Sequence, residues 1–288
     1  MGIWDIHMFV QVCDPTAADF HTGHGGPCIA RGVAKTREHQ SQTTLNAGRE
    51  HIMNNLIAVT TMIACAGLAH ADVVTTFDNG ADGWSISGRD TVRPDGGNDG
   101  ANMHGQLVDV FGADIRNNTN GDFLGDLGRY GTSIELSIDI KVNSLDFFGQ
   151  QVPRELVVEL RDYDNDNGYP WTSVWLSLGV ISAADTGGWT TFSTIIDDTS
   201  AISLPTGWGG TGDEDPNTFE PILPDGRTFE SVVSSVDELA FTTFVPGFFF
   251  GFTNFDMQVD NIAIRTVPAP SALALIGLGG LVGTRRRR

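Results

Sequence analysis

Cysteine is missing from most of this sequence, because Cys13, Cys28 and Cys65 all precede residue 72. The stretch from 72 to 266 therefore cannot form the disulfides that stabilise many small exported domains. Its length of about 195 residues suffices for one sandwich or barrel domain whose core needs no cross-link.

Positive charge is scarce in the same stretch. Residues 72–266 contain 24 Asp and 7 Glu but only 9 Lys and Arg, a net charge of −22 that compares with −19 for the whole chain. This charge excludes nucleic acid as a partner, because binding to phosphates needs cations. The excess of Asp over Glu favours turns and cation-binding loops, so structural calcium is the one cofactor that the composition suggests.

Catalytic motifs are missing as well. No G-x-S-x-G nucleophile motif occurs, and His104 is the only histidine between 72 and 266. A glycosidase needs two carboxylates beside the scissile bond. Concanavalin-like enzymes place them in E-x-D-x-x-E, and the nearest match, which starts at Glu135, has Ile140 in the last position. We therefore predict no catalytic residue, and a glycoside hydrolase is the least favoured function.

A secretory signal peptide is predicted over residues 53–71. An apolar stretch precedes the small residues Ala69 and Ala71, which form an A-x-A cleavage site in front of Asp72. We therefore expect signal peptidase to release an exported domain that begins at Asp72.

Residues 1–52 show no sustained helical or strand period, so they are predicted to be disordered. If Met53 is the true start, they are upstream sequence translated in error. Two alternatives remain open: a zinc site, although "HTGHGGPC" does not match a standard ligand spacing, and a lipoprotein box in "MIAC", which ends at Cys65.

Strands dominate the predicted secondary structure of 72–266. In "IELSIDIKV" (134–142) apolar and polar residues alternate, as they do in half-buried antiparallel strands. Further strands are predicted at 73–77, 107–111, 156–161, 173–180, 189–196, 238–245 and 257–265, with one short helix at 229–235. Many short strands and Gly-rich turns favour an all-β fold, a jelly-roll-like antiparallel β-sandwich.

Five motifs occur in the order typical of a laminin B (domain IV) module. They are "FDNGADGWSISG", "GDFLGDLGRYGTSIELSIDIKV", "WTTFSTII", "FESVVSSVDELAF" and "MQVDNIAI". The sequence resembles this family over about 75–265, although Thr132 replaces a usual glycine and an Asp-rich insertion lies near 209–226. The resemblance implies a galactose-binding-like extracellular sandwich with a binding or structural role and no catalysis.

Calcium has two candidate sites. "DYDNDNG" places Asp162, Asp164 and Asp166 at alternating positions, where carboxylates can surround a hard cation, but the spacing departs from an EF-hand. Asp78 and Asp260 form the second candidate, because the first and last strands of jelly rolls are often neighbours. A solvated hairpin loop and a turn-capping Asp are the simpler alternatives.

Tryptophans in loops are the candidate sugar-binding residues. Trp171 follows a proline and Trp208 lies in "PTGWGG", so both are expected to be exposed, where binding residues concentrate. Trp84, Trp175 and Trp189 lie at strand positions and are expected in the core.

The C-terminal segment, residues 267–288, resembles the PEP-CTERM sorting signal. It begins with Val267, Pro268, Ala269 and Pro270, continues with a short apolar run, and ends with Arg285, Arg286, Arg287 and Arg288. The run is shorter than the roughly 20 residues of a full span, and the arginines would stay on the cytoplasmic side of the inner membrane. The resemblance implies recognition by an exosortase-type transpeptidase, although the family usually has Glu where Ala269 stands. A plain membrane anchor is the alternative.

Two functions therefore remain. The first is an exported cell-surface or extracellular-matrix protein with a binding or structural role, sorted by an exosortase-type system. The second is a secreted carbohydrate-binding module that targets polysaccharide. An exposed, coplanar pair of Trp171 and Trp208 beside a groove would favour the second.

Overall fold

Fifteen β-strands form almost all regular structure in the part of the chain that the computed structural model describes, residues 71–165 and 167–268. The strands are β1 (Val73–Thr75), β2 (Trp84–Ile86), β3 (Asp90–Arg93), β4 (Asn102–Val110), β5 (Asp114–Asn117), β6 (Ile134–Phe147), β7 (Gln150–Gln151), β8 (Arg154–Asp162), β9 (Thr172–Ile181), β10 (Thr190–Ile196), β11 (Gly209–Thr211), β12 (Asp213–Glu214), β13 (Pro221–Ile222), β14 (Glu238–Thr242) and β15 (Thr253–Thr266). Residues 1–52, nearly all of the predicted signal peptide and residues 269–288 of the predicted sorting segment lie outside the described residues.

Two antiparallel sheets form the domain. The larger sheet has the order β10-β6-β15-β4-β3, with β1 paired to β15 and β7 paired to β6. The second sheet has the order β11-β9-β8-β14-β5-β2, and β12 and β13 form a separate two-stranded ribbon. The predicted all-β antiparallel sandwich is confirmed, and every predicted strand overlaps an observed one.

The core lies between the sheets because one face of each strand is apolar. Ile134, Leu136 and Ile138 of β6 are fully buried, as the alternating pattern predicts. In β15 the buried residues Met257 and Val259 lie at odd positions, whereas its later core residues lie at even positions. A register shift between Asp260 and Ala263 makes this change of phase possible.

One short helix, α1 (Phe229–Val233), covers an edge of the core, and a 3-10 helix spans Leu127–Tyr130. α1 confirms the helix predicted near 229. Thr228 caps it, since the Thr228 side chain accepts a bond from the Ser231 amide while the Ser231 hydroxyl accepts one from the Thr228 amide. Within the described ranges no helix is long and apolar enough to cross a membrane.

Candidate ligand-binding cleft

A cavity of about 470 Å³ opens on the face of the second sheet that points away from the core. Leu156, Val158 and Leu160 of β8 enter the core, so the residues that alternate with them, Glu159 and Arg161, reach the cavity. Its walls come from the loop before β9, the β12–β13 ribbon and the loop after β14. The site is concave and has both aromatic and charged lining residues, which is typical of ligand pockets.

Arg161 is the centre of a buried ionic network at the base of the cleft. Its Nη1 lies 2.5 Å from Glu238 Oε1 and its Nε lies 2.8 Å from Glu159 Oε2. Nη1 and Nη2 each donate to one oxygen of Asp114, both at 3.2 Å. The register explains this assembly, because Glu238 lies directly opposite Arg161 in the pairing of β14 with β8.

The guanidinium of Arg161 is held in its charged form. Burial alone would lower the pKa of Arg161, but the carboxylates of Glu159 and Asp114 outweigh that cost and raise its pKa above the ordinary value. All its donor nitrogens are engaged by protein carboxylates, so Arg161 has no free donor for an anionic ligand.

Trp171 is held rigidly beside this network. Its indole Nε1 donates to Glu159 Oε1 at 3.1 Å, and the guanidinium of Arg161 lies 4.6 Å from its ring centroid. Glu159 Oε1 also accepts a hydrogen bond from the Ser173 hydroxyl at 2.6 Å. Trp171 lines the cavity but is half-buried rather than fully exposed, and its role in binding sugar stays a prediction.

Two further aromatic residues line the cleft. The Tyr169 hydroxyl bonds to Glu214, and local desolvation together with this bond raises the pKa of Tyr169. Phe219 lies between β12 and β13 and is 73% exposed, with a left-handed backbone at φ 59°. Such a conformation costs about 1 kcal/mol or more for a residue other than glycine, and here it belongs to an exposed ring at the mouth of the cavity.

Trp208 corrects one prediction. It is only 8% exposed and packs edge-on against Phe229 of α1, with ring centroids 5.1 Å apart. Its loop turns inward, so the expected exposed pair of Trp171 and Trp208 does not exist. Among the strand tryptophans, Trp84 is buried as predicted, whereas Trp175 and Trp189 are only half-buried.

The two described carboxylates of the first calcium candidate, Asp162 and Asp164, have different surroundings, and calcium binding there stays a prediction. Asp162 is buried and pairs with Arg227, while Asp164 is exposed and donates its amide to Asp162 Oδ1 at 2.8 Å. Asp166 lies outside the described residues. Across 71–165 and 167–268, no group of three or more His, Cys, Asp or Glu side chains has the arrangement of a metal site.

The second calcium candidate is brought together by one turn. Asp78 Oδ1 accepts from the Ala101 amide at 3.1 Å, and Asp260 Oδ2 accepts from the Asn98 amide at 2.8 Å. Burial, together with the neighbouring Asp139, raises the pKa of Asp260. Both carboxylates therefore contact the same segment, and calcium binding there stays a prediction.

The two ends of the described domain are neighbours. Asp72 Oδ1 accepts a hydrogen bond from the Thr266 amide at 3.0 Å. Ala71, Asp72, Val267 and Pro268 are described, whereas Ala69, Ala269, Pro270 and the four terminal arginines lie outside the described residues. The two predicted processing points thus lie at the same end of the sandwich.

Sequence reasoning missed most of the cleft: Asp114, Glu159, Arg161, Tyr169 and Phe219. A local signal existed in "RELVVELRD", where Glu159 and Arg161 share one face of a strand whose other face is apolar. Their partners Asp114 and Glu238 are separated from Arg161 by 47 and 77 residues, so no local pattern could show the network.

No family model and no curated protein matches the chain. Among the solved structures that resemble it are several carbohydrate-binding modules and two agarases. One is the family 11 carbohydrate-binding module from Clostridium thermocellum in complex with a β-1,3-1,4-mixed-linked tetrasaccharide (14% identity, TM-score 0.39, covering 69% of this chain and 98% of that one). Another is the C-terminal family 22 module of Clostridium thermocellum Xyn10B (9% identity, TM-score 0.35, covering 68% and 96%).

The chain also resembles the CBM22-1-GH10 structure of Clostridium thermocellum xylanase 10B complexed with xylohexaose, at 16% identity and a TM-score of 0.36. That alignment covers 67% of this chain but only 28% of the xylanase structure. At these identities and TM-scores the likeness assigns no function, so the function has to be argued from the cleft.

Proposed function

We propose that the domain is a non-catalytic carbohydrate-binding module of an exported protein, and that a polysaccharide segment occupies the cleft. We therefore prefer the hypothesis of a carbohydrate-binding module to that of a cell-surface or extracellular-matrix protein with a general binding or structural role. The observation that carries the proposal is Trp171, which borders an open cavity while one hydrogen bond and one guanidinium contact fix its ring. A rigid aromatic face loses little conformational entropy when a sugar ring packs on it.

The polar groups of the cleft suit hydroxyl-rich ligands. Asp114, Asp213 and Glu214 line the cavity with carboxylate oxygens, which accept hydrogen bonds, and the Thr211 hydroxyl can donate or accept. A glycan presents hydroxyls around its ring edge and C–H groups on its faces. The combination of an aromatic wall with several acceptors therefore matches both parts of such a ligand.

Binding rather than catalysis fits the way in which the buried carboxylates are used. Glu159, Glu238 and Asp114 all pair with Arg161, so their carboxylate oxygens are already engaged by one guanidinium. A glycosidase of the usual kind needs one carboxyl that donates a proton and a second that attacks or activates water. Three carboxylates bound to one guanidinium are poorly suited to either role.

The test is binding to a glycan array, followed by calorimetry with the best soluble oligosaccharide. Trp171→Ala should abolish measurable binding, and Phe219→Gly should weaken it while leaving thermal stability within about 1 kcal/mol, because glycine accepts the left-handed backbone. Phe148→Gly is the matched control, since Phe148 is an exposed phenylalanine at φ 50° that lies outside the cleft. If no glycan binds, or if Trp171→Ala binds as wild type does, the proposal is wrong.

We also propose that signal peptidase and an exosortase-type enzyme process the chain, which would place the domain at the cell surface or outside the cell. The support is the signal-like segment 53–71 and the sorting-like segment 267–288. Within the described residues, Ala71, Asp72 and Pro268 are exposed, which agrees with processing at both ends of the domain. Cell fractionation with an antibody against the domain tests the location, and recovery only from the cytoplasm would refute it.

A further inference from the structure

The charges of the cleft indicate which glycans it accepts. Four carboxylates and one guanidinium line the cavity, a net charge of −3: Asp114, Glu159, Asp213, Glu214 and Arg161. The single guanidinium is already fully bonded to Asp114, Glu159 and Glu238. A ligand carboxylate or sulfate would therefore meet negative potential, and the described lining residues include no free cation to pair with it.

Two of these carboxylates have no cationic partner within the described part of the chain. Asp213 accepts a bond from the Asn167 amide group at 3.2 Å, and Glu214 bonds to the Tyr169 hydroxyl, so both partners are neutral. Both side chains belong to β12, at the rim of the cavity near Phe219. Asp114, in contrast, has Arg161 and also Arg116, whose Nη1 lies 3.7 Å away.

Aromatic rings next to unpaired carboxylates form a site that recognises ammonium groups. A carboxylate makes a charge-assisted hydrogen bond to an ammonium, and the face of an aromatic ring attracts the same cation. Tyr169, Phe219, Asp213 and Glu214 supply these groups at the rim, whereas Trp171 already has the Arg161 guanidinium against its ring. An ammonium group of the ligand would therefore bind at the rim, and a sugar ring of the same ligand would pack against Trp171.

We infer that the cleft prefers polysaccharide with free amino groups, such as de-N-acetylated hexosamine residues, and rejects uronic acid and sulfated chains. This inference rests on the proposed function, because it concerns the selectivity of the same cleft. Its structural basis is the juxtaposition of the unpaired Asp213 and Glu214 with Tyr169 and Phe219.

The experiment compares four soluble hexasaccharides by calorimetry at mildly acidic pH and moderate salt: β-1,4-glucosamine, its N-acetylated form, β-1,4-glucose and oligogalacturonate. We expect the glucosamine oligomer to bind roughly tenfold more tightly than the two neutral oligomers, which is the contribution of one hydrogen bond to a charged group. The oligogalacturonate should not bind measurably. The double variant D213N/E214Q should lose the preference for glucosamine, so that its affinities for the amino and the neutral oligomers become similar, whatever change it makes to neutral binding.

A control separates site binding from general attraction between an acidic protein and a cationic glycan. Asp197 and Asp198 are adjacent, exposed and outside the cleft, so D197N/D198N removes the same charge elsewhere. If this control loses as much affinity as D213N/E214Q, or if neutral and amino oligomers bind equally, the inference is wrong while the proposed function stands. If Trp171→Ala leaves all binding unchanged, or if no oligomer binds, both fail.

Discussion

Replacement of Arg161 by methionine is the sharpest test of how the cleft is built. The variant keeps most of the side-chain volume but removes the charge that Asp114, Glu159 and Glu238 share. The side chains of Arg161, Glu159 and Glu238 are only 3%, 4% and 1% exposed. Loss of one partner from such a buried pair typically costs about 3–5 kcal/mol, because the remaining charges are desolvated and uncompensated.

The contacts that survive in the variant refine this estimate. Asp114 and Glu238 keep Arg116, whose Nη1 lies 3.7 Å from an oxygen of each. Glu159 keeps hydrogen bonds from Trp171 and Ser173 but loses its only cation within the described residues. We therefore expect about 4 kcal/mol of lost stability, most of it at Glu159, out of the roughly 5–15 kcal/mol of a typical domain.

Urea unfolding followed by tryptophan fluorescence measures this loss at neutral pH. With a denaturant slope of about 2 kcal/mol/M, the midpoint should fall by about 2 M. Arg116→Met is the matched control, because Arg116 reaches two of the same carboxylates but is 45% exposed. An exposed pair contributes about 0–1 kcal/mol. If Arg161→Met costs less than Arg116→Met, the buried network does not stabilise the sheet and the reasoning is wrong.

Three further predictions concern other parts of the domain. Calcium should raise the melting temperature of wild-type protein but not of Asp78→Ala or Asp260→Ala, and an unchanged melting curve after addition of chelator would rule the site out. Asp256 has a lowered pKa because hydrogen bonds to its carboxylate outweigh burial, so its stabilising effect is present at neutral pH and is lost as pH falls below about 3.9. The gap in stability between wild type and Asp256→Asn should therefore shrink with acidification, and a gap that widens would contradict the assignment. Intact-mass analysis of protein from the native host should show termini near Asp72 and Pro268, whereas a mass equal to the full chain would refute processing at both ends.

A strand could be predicted from the sequence where apolar and polar residues alternate along it. Strand β6 has five alternating apolar residues, and burial against the opposite sheet is enough to fix its register. Short strands such as β2, β5 and β11 were missed. They have three or four residues each and depend on pairing with distant strands rather than on local pattern.

The cleft was less predictable because its residues come from distant parts of the chain. Trp171 could be named as a candidate from the sequence, because a tryptophan that follows a proline in a polar loop is expected at the surface. The same argument failed for Trp208, because its loop packs against Phe229 instead of facing solvent. For Arg161, the local sequence shows only one partner, the nearby Glu159. Its other two partners, Asp114 and Glu238, belong to the distant strands β5 and β14.

The position of β15 has a consequence for the order in which the domain can fold. β15 is the last strand of the described domain, yet it lies between β6 and β4 in the middle of the larger sheet. Until residues 253–266 are available, β4 and β6 have no common neighbour and their edges stay unpaired. Folding therefore waits for nearly the whole domain and depends on contacts between distant residues, which makes it slow. A chain that enters a translocation channel from its N-terminus would thus remain unfolded, and able to thread, until almost all of the domain has been synthesised.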